Sequence, residues 1–271
     1  MSFSPVILDL IRDASFVRHV EWHDTIASTN DRGNDVAQCV ELETPLLILA
    51  GRQTAGRGRG ANRWWSAEGA LTLTLVFDPC QDMSACGLPP LPFEVWPRIA
   101  LVAGVALCDV IEALLPSVTC RLKWPNDVLL DGKKVSGILV EIPPASPPAP
   151  RRLVLGMGIN VNNSLTSAPV EVQSVAASLC DVAGDSFDGA QILIDWLNAF
   201  AGRLGELASA DGKLVERWQS LCTLNGKSIE LQSGSRTVTG VCRGIDFDGA
   251  LLVDTPTGPE RLYAGVLVRA T

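Results

Sequence analysis

The chain predicts an α+β fold, a mainly antiparallel sheet with helices, followed by a small β-barrel. Three features predict it. Apolar runs of strand length recur through residues 17–161, helical signals fill residues 174–220, and short strands at turn spacing make up the tail from about residue 225. They divide the 271 residues into a larger unit, 1–222, and a small β unit, 223–271.

Residues 17–22 (FVRHVE) and 46–50 (LLILA) read as strands, and 28–40 (STNDRGNDVAQCV) predicts a helix opened by Ser28 or Thr29 as N-cap. Residues 70–77 (ALTLTLVF) alternate aliphatic side chains with threonine at period two, the pattern of a strand with one buried face. A long, largely apolar helix is predicted over 94–115. The segment 119–142 breaks at Trp124-Pro125-Asn126-Asp127 and turns at Asp131-Gly132, so it reads as strand, loop and hairpin. The proline-rich stretch 143–150 predicts a surface connection and 151–161 a further strand; Asn225-Gly226 and Asp248-Gly249 mark turns in the tail. No internal repeat is present.

Composition narrows the function classes. A hydrophobic fraction of 47% and a charged fraction of 19% are those of an ordered globular chain. The net charge of −8, from 22 basic and 30 acidic residues, argues against a surface built to hold nucleic acid. Eight scattered cysteines form no C-x-x-C pair, so they read as buried free thiols rather than a zinc or redox site. The start, MSFSPVILDLIRDASF, has acidic residues inside its apolar stretch and does not read as a signal peptide. No apolar run is long enough to cross a bilayer, and a cytoplasmic location is the expectation.

Four segments carry candidate chemistry. The loop 51–60 (GRQTAGRGRG) packs four glycines and three arginines between two strands, an anion cradle in an acidic protein, with a solvated linker as the bland alternative. Lys123-Trp124-Pro125-Asn126-Asp127 sets a cation, a ring, an amide and a carboxylate around a proline, and a plain β-turn accounts for it equally well. Lys133 and Lys134 precede an apolar strand in which Gly137 permits close approach. Gly156-Met157-Gly158-Ile159-Asn160-Val161 lacks the third glycine of a dinucleotide fingerprint, so a Rossmann site is disfavoured. Serine hydrolysis finds no G-x-S-x-G, and His19 and His23 both lie in or beside an N-terminal strand.

These pieces in this order resemble the biotin protein ligase family: Ser28-Thr29-Asn30, Gln53 to Arg59, Lys123 to Glu141 with its KWPND and KK-x-x-GILVE runs, Gly156 to Val161, and Arg243-Gly244-Ile245-Asp246. The similarity covers nearly the whole chain. It implies a catalytic domain akin to class II aminoacyl-tRNA synthetases and lipoate ligases, then an SH3-like barrel. It implies biotin and ATP as substrates with Mg²⁺, and a biotin carboxyl carrier domain of a carboxylase as acceptor, docking partly by strand-edge addition. Members that repress transcription carry an N-terminal helix-turn-helix, for which residues 1–16 leave no room, so DNA and membrane partners are not expected and the assembly is a monomer or homodimer.

Carried over residue by residue, the resemblance implies a biotin site of Ser28, Thr29, Asn30, Gln53, Gly56, Arg57, Arg59, Lys134 and Gly137. The adenylate side comprises Arg57, Arg59, Trp64, Lys123, Asn126, Lys134, Gly158 and Asn160. Lys134 resembles the lysine that bridges the biotin carboxylate and the α-phosphate; Lys123, Arg59 and Asp127 act beside it, Asp127 on Mg²⁺ or as the base for the acceptor lysine. Gly56 to Arg59 resemble a closing lid. The lid departs from the family's G-R-G-R-x-G-R-x-W, with Ala61 and Asn62 where Gly and Arg are usual and Arg63 one place later. A lipoate or octanoate ligase, and a non-catalytic anion- or RNA-binding module, are the competing readings.

Overall fold

The computed structural model describes residues 2–145 and 147–271. Seven strands form the main sheet: β1 (His19–His23), β2 (Leu46–Ala50), β3 (Leu71–Phe77), β4 (Cys120–Lys123), β5 (Asp127–Leu130), β6 (Lys133–Glu141) and β7 (Leu153–Ile159). Their order is β1-β2-β3-β7-β6-β5-β4, antiparallel throughout except for the parallel β1-β2 pair. The proline-rich connection 143–150 joins β6 to β7, its Ser146 outside the described residues.

Helices α1 (Pro5–Asp13), α2 (Thr29–Val36), α3 (Ile99–Leu114), α4 (Val170–Gln173), α5 (Leu179–Ala183), α6 (Gly189–Ser209) and α7 (Lys213–Leu221) complete the larger unit. The predicted helix 94–115 is a 3-10 turn, Phe93–Arg98, running into α3, because Pro97 cannot donate the backbone bond an α-helix interior requires. Helix α1 was not predicted; its signals are Pro5 at the first position and one buried side chain, Ile11. Residues 174–178 are not helical as expected, since Ser178 caps α5 by accepting from Asp181 N.

Strand β3 sets the two faces of the sheet. Leu71, Leu73, Leu75 and Phe77 enter the main core with α3 and α6, where Trp196 stacks on Phe200 at 5.2 Å and donates its indole N–H to Ala103 O. Val76 joins the smaller cluster of Leu46, Ile48 and Val154 on the α2 side. All seven β3 residues are therefore buried, where the alternation predicted one buried face: α2 packs on the threonine side. Gly33 of α2 permits this, because a Cβ there would lie 2.8 Å from Thr74 Cγ2. Buried Arg152 holds the end of α2 by donating to Ala37 O, Cys39 O and Leu42 O.

The tail forms β8 (Ser228–Ser233), β9 (Arg236–Ile245), β10 (Leu251–Thr255), β11 (Gly258–Leu262) and β12 (Val266–Ala270), an antiparallel sheet in the order β11-β10-β9-β8-β12. No pairing closes β11 onto β12 among the described residues, so the expected barrel is an open curved sheet. Its curvature comes from long β9, which pairs with β8 by one half and β10 by the other, and from the register shift between Leu251 and Val253. The predicted turns are present: Asp131 and Gly132 both take positive φ, as a two-residue hairpin requires, and Gly226 and Gly249 do likewise. Cys108, Cys120, Cys222 and Cys242 are buried free thiols, whereas Cys39 and Cys80 are exposed and Cys180 half-buried.

Candidate active site

A cavity of about 750 Å³ opens on the threonine face of the sheet. It gathers Ser28, Thr29, Asn30, Gln53, Arg57, Arg59, Trp64, Lys123, Asn126, Asp127, Lys134, Gly137, Gly158 and Asn160, every predicted site residue except Gly56. Gly56 stands behind the wall, where a Cβ would lie 2.6 Å from Trp64 O and 3.0 Å from Gln53 Nε2. Its lack of a side chain lets the base of the lid close.

One end is a polar pocket built on the start of α2. Gln53 Oε1 accepts from Thr29 N at 2.7 Å and Thr29 Oγ1 at 3.1 Å, which fixes the amide so that its Nε2 donor remains for a ligand. Ser28 Oγ accepts from Asp31 N, leaving its O–H free to donate. Thr74, a side chain the sequence reading did not single out, has its Oγ1 2.8 Å from both Thr29 Oγ1 and Asn30 Oδ1 and shares one hydroxyl proton between them; its place on the inward threonine stripe was the available signal. Trp64 and Leu139 supply apolar wall beside these groups.

The other end is cationic. Lys134 Nζ lies 2.6 Å from Asp127 Oδ1 and 5.9 Å from the Trp64 ring centroid. Three hairpin features converge there: Lys123 pairs with Asp127 across β4-β5, Asp127 with Gly137 across β5-β6, and Gly137 with Gly158 across β6-β7. Gly158 is a steric necessity, since a Cβ there would sit 2.2 Å from the Trp64 indole, and a Cβ on Gly137 would sit 3.0 Å from Lys134 Nζ and press on the lysine head. The strand carrying Lys134 is fixed on its other side by residues 175–177, through Lys134 N to Val175 O (2.8 Å) and Ala177 N to Lys134 O (2.9 Å). The sequence reading missed that wall by assigning the segment to helix.

Several predicted site residues also bond neighbouring groups of the protein. Asn160 donates to Ala177 O and accepts from Asn163, Asn126 donates to Ile138 O, and Asn30 donates to Leu139 O and Glu141. These amides shape the wall. The lid residues Gly51–Trp64 curl into a small hairpin with an Arg57–Arg63 bridge, its tip closed by Asn62, which bonds Arg59 O through both N and Nδ2 while Gly58 N donates to Asn62 O. The unusual Asn62 is thus the residue that turns the lid. Arg57 pairs with Glu141 at 2.7 Å and Asp31 at 2.8 Å, and Arg59 donates to Gly265 O of the tail sheet. Burial pushes the Glu141 carboxyl up, but hydrogen bonds from Arg57, Asn30 and Asn34 outweigh it and hold the group below its ordinary value.

No group of three or more His, Cys, Asp or Glu converges among the described residues, so no all-protein metal cage is built there. Mg²⁺ that arrives with ATP needs only one or two protein carboxylates beside the phosphates, and Asp127 is the carboxylate in the cavity wall, 2.6 Å from Lys134 Nζ.

A sheet with α3 and α6 on one face and, on the other, α2 beside a cavity under a Gly-Arg lid is the architecture of an acyl-activating ligase domain. The model of the biotin/lipoate A/B protein ligase family matches residues 22–160, and that of the biotin protein ligase C-terminal domain matches residues 225–267. A bifunctional ligase/repressor of Bacillus subtilis is 31% identical, covering 91% of this chain and 73% of its own. A biotin–[acetyl-CoA-carboxylase] ligase of Mycobacterium tuberculosis is 31% identical, covering 90% and 88%. The solved biotin protein ligase of Aquifex aeolicus in complex with biotin and ATP superposes with a TM-score of 0.75 at 26% identity, covering 94% of this chain and 99% of that one. The chain belongs to the biotin/lipoate A/B protein ligase family, in its biotin protein ligase branch.

Proposed function

We propose that this chain is an ATP-dependent biotin protein ligase that makes biotinyl-5′-AMP and then acylates one lysine of a carrier domain. The observation that carries the reading is the cavity's polarity: a fixed amide and hydroxyl at one end, Lys134 with Lys123 at the other, and apolar wall beside them. A ureido ring needs donors for its carbonyl, which Gln53 Nε2 and Ser28 O–H supply, and the valeryl chain needs the apolar wall. The carboxylate then reaches Lys134.

There the carboxylate oxygen attacks the α-phosphorus, a P–O bond forms, and the bond to pyrophosphate breaks with its electron pair leaving on pyrophosphate. Two anions must meet, so the Lys134 ammonium lowers the barrier by standing between them. Trp64, seated on Gly158, and the 175–177 wall enclose the adenylate side. Arg59 closes the lid over the phosphate, and exclusion of water protects the mixed anhydride. In the second step the acceptor amine attacks the acyl carbon, AMP leaves, and Asp127 takes up the amine proton. Residues 1–222 form the catalytic unit and 223–271 the appended β unit. No described helix is long and apolar enough to cross a membrane, and the reading places the reaction in the cytoplasm with a monomer or homodimer.

The family's lipoate branch offers the competing acid, and Gln53 with Ser28 favours biotin because a fatty tail leaves both donors unpaired. Intact-mass measurement of a carrier domain incubated with the protein, Mg-ATP and either acid tests this: one biotinyl amide per carrier is expected, and a lipoyl adduct alone would move the chain to the other branch.

A further inference from the structure

The tail sheet has no part in the chemistry above, yet it touches both sides of the cavity. The motif Arg243–Asp246 leads into the β9–β10 turn, which is stiffened by its own bonds. Asp246 Oδ1 accepts from Asp248 N at 2.8 Å and Ala250 N at 3.1 Å, Gly249 N donates to Asp246 O at 3.0 Å, and Arg261 pairs with Asp246 at 2.7 Å and with Asp248. This turn sits on the KWPND segment. Trp124 Nε1 donates to Gly249 O at 3.1 Å, Arg98 Nη2 donates to Asp248 Oδ1 at 2.9 Å, and a Cβ on Gly249 would lie 3.2 Å from Leu101 Cδ1. Trp124 is only 3% exposed and lies between Lys123 and the Asn126-Asp127 pair. Across the cavity, Gly265 O receives Arg59 of the lid, and a Cβ at Gly265 would lie 2.0 Å from Leu231 Cδ2, so a larger residue would push this carbonyl away.

We propose that the Asp246–Ala250 turn is a positioning element for adenylate formation: by holding Trp124 on Gly249 O it fixes Lys123 and Asp127 relative to Lys134. A buried indole N–H needs an acceptor, and here the acceptor is a backbone carbonyl of a turn whose rigidity comes from a carboxylate and an arginine, so the position of the ring is tied to that turn. Displacements well under an ångström at Lys123 or Asp127 alter the charge geometry at the phosphate, and catalytic rates are steep in that geometry.

The inference rests on the ligase reading and is tested by steady-state pyrophosphate release with Trp124→Phe, which keeps a ring and removes the N–H, and Asp248→Asn, which uncouples Arg98 and Arg261 without touching the cavity. Each is expected to lower kcat about ten-fold, with the biotin KM within about two-fold of wild type and the protein folded at the assay temperature by circular dichroism. The double variant is expected to be no slower than the worse single variant, because both act through one turn. Wild-type kcat in both variants, losses that multiply in the double variant, or a biotin KM rising in step with the loss of rate would each overturn the positioning role. A wild-type protein that releases no pyrophosphate with biotin would sink the ligase reading first, before any variant is compared, and the positioning role with it.

Discussion

The lid and the KWPND segment face each other across the same cavity and are built on opposite principles. The lid, residues 51–64, is largely exposed or half-buried and is held by ionic and backbone bonds at its arginines: Arg57 on Glu141 and Asp31, Arg59 on Gly265 O. KWPND is anchored by a buried tryptophan, by the reciprocal pair Ile138 N to Asn126 O (3.0 Å) and Asn126 Nδ2 to Ile138 O (2.8 Å), and by strand pairing on both sides. Bonds to partly exposed arginines exchange cheaply with solvent or a phosphate, whereas a packed indole does not. The difference teaches that one side is made to rearrange around a ligand and the other to present charge in a fixed place.

That contrast can be broken most forcefully on the fixed side. Lys134→Ala removes the cation between two anions and is expected to lower adenylate formation on the order of 10³-fold while the fold survives; a loss under about ten-fold would remove Lys134 from the chemistry. Gly158→Ala comes next. Its Cβ would drive into the Trp64 indole, costing on the order of 1–3 kcal/mol in stability and, with Trp64 displaced, on the order of 10²-fold in the rate, both readable by thermal melting and pyrophosphate release. Asp127→Asn tests the fixed side at the second step: transfer from supplied biotinyl-5′-AMP is expected to slow and to change its pH dependence, and an unchanged pH profile would remove the base role.

On the lid the effects are smaller. Because the Glu141 carboxyl sits below its ordinary value, its contribution is complete above about pH 4.3 and is lost as pH falls through the lower folded value. Wild type should therefore lose melting temperature below pH 4 more steeply than Glu141→Gln, and the two should run parallel from pH 5 to 8; equal slopes in acid would mean that the latch carries no charge-dependent stability. Asn62→Ala, which opens the lid tip, is expected to cost about two- to five-fold in kcat with no change in melting temperature.

The fixed side was also the more legible in sequence. Asp131-Gly132 announced the hairpin and Gly137 announced close approach, because each is a local demand on the backbone, whereas the Leu-Thr alternation of 71–77 announced one buried face and both faces are buried. What the sequence did not reveal depends on distant partners. The bonds of Asn30, Asn126 and Asn160 to Leu139, Ile138 and Ala177, and the approach of Lys134 to 2.6 Å from Asp127, join residues that no local pattern connects. Residues 174–178 read as helix because Val and Ala carry no mark of the parallel bridge to Lys134. The open tail sheet differs from a closed barrel only in one missing pairing, which no local pattern encodes.

The central claim is that this cavity joins biotin to AMP through Lys134. Pyrophosphate release from Mg-ATP, with biotin and with lipoate or octanoate supplied separately to wild type and Lys134→Ala, tests it most directly. Release with biotin alone, lost in the variant, is the predicted result; release with a fatty acid alone, or undiminished release from Lys134→Ala, would contradict it.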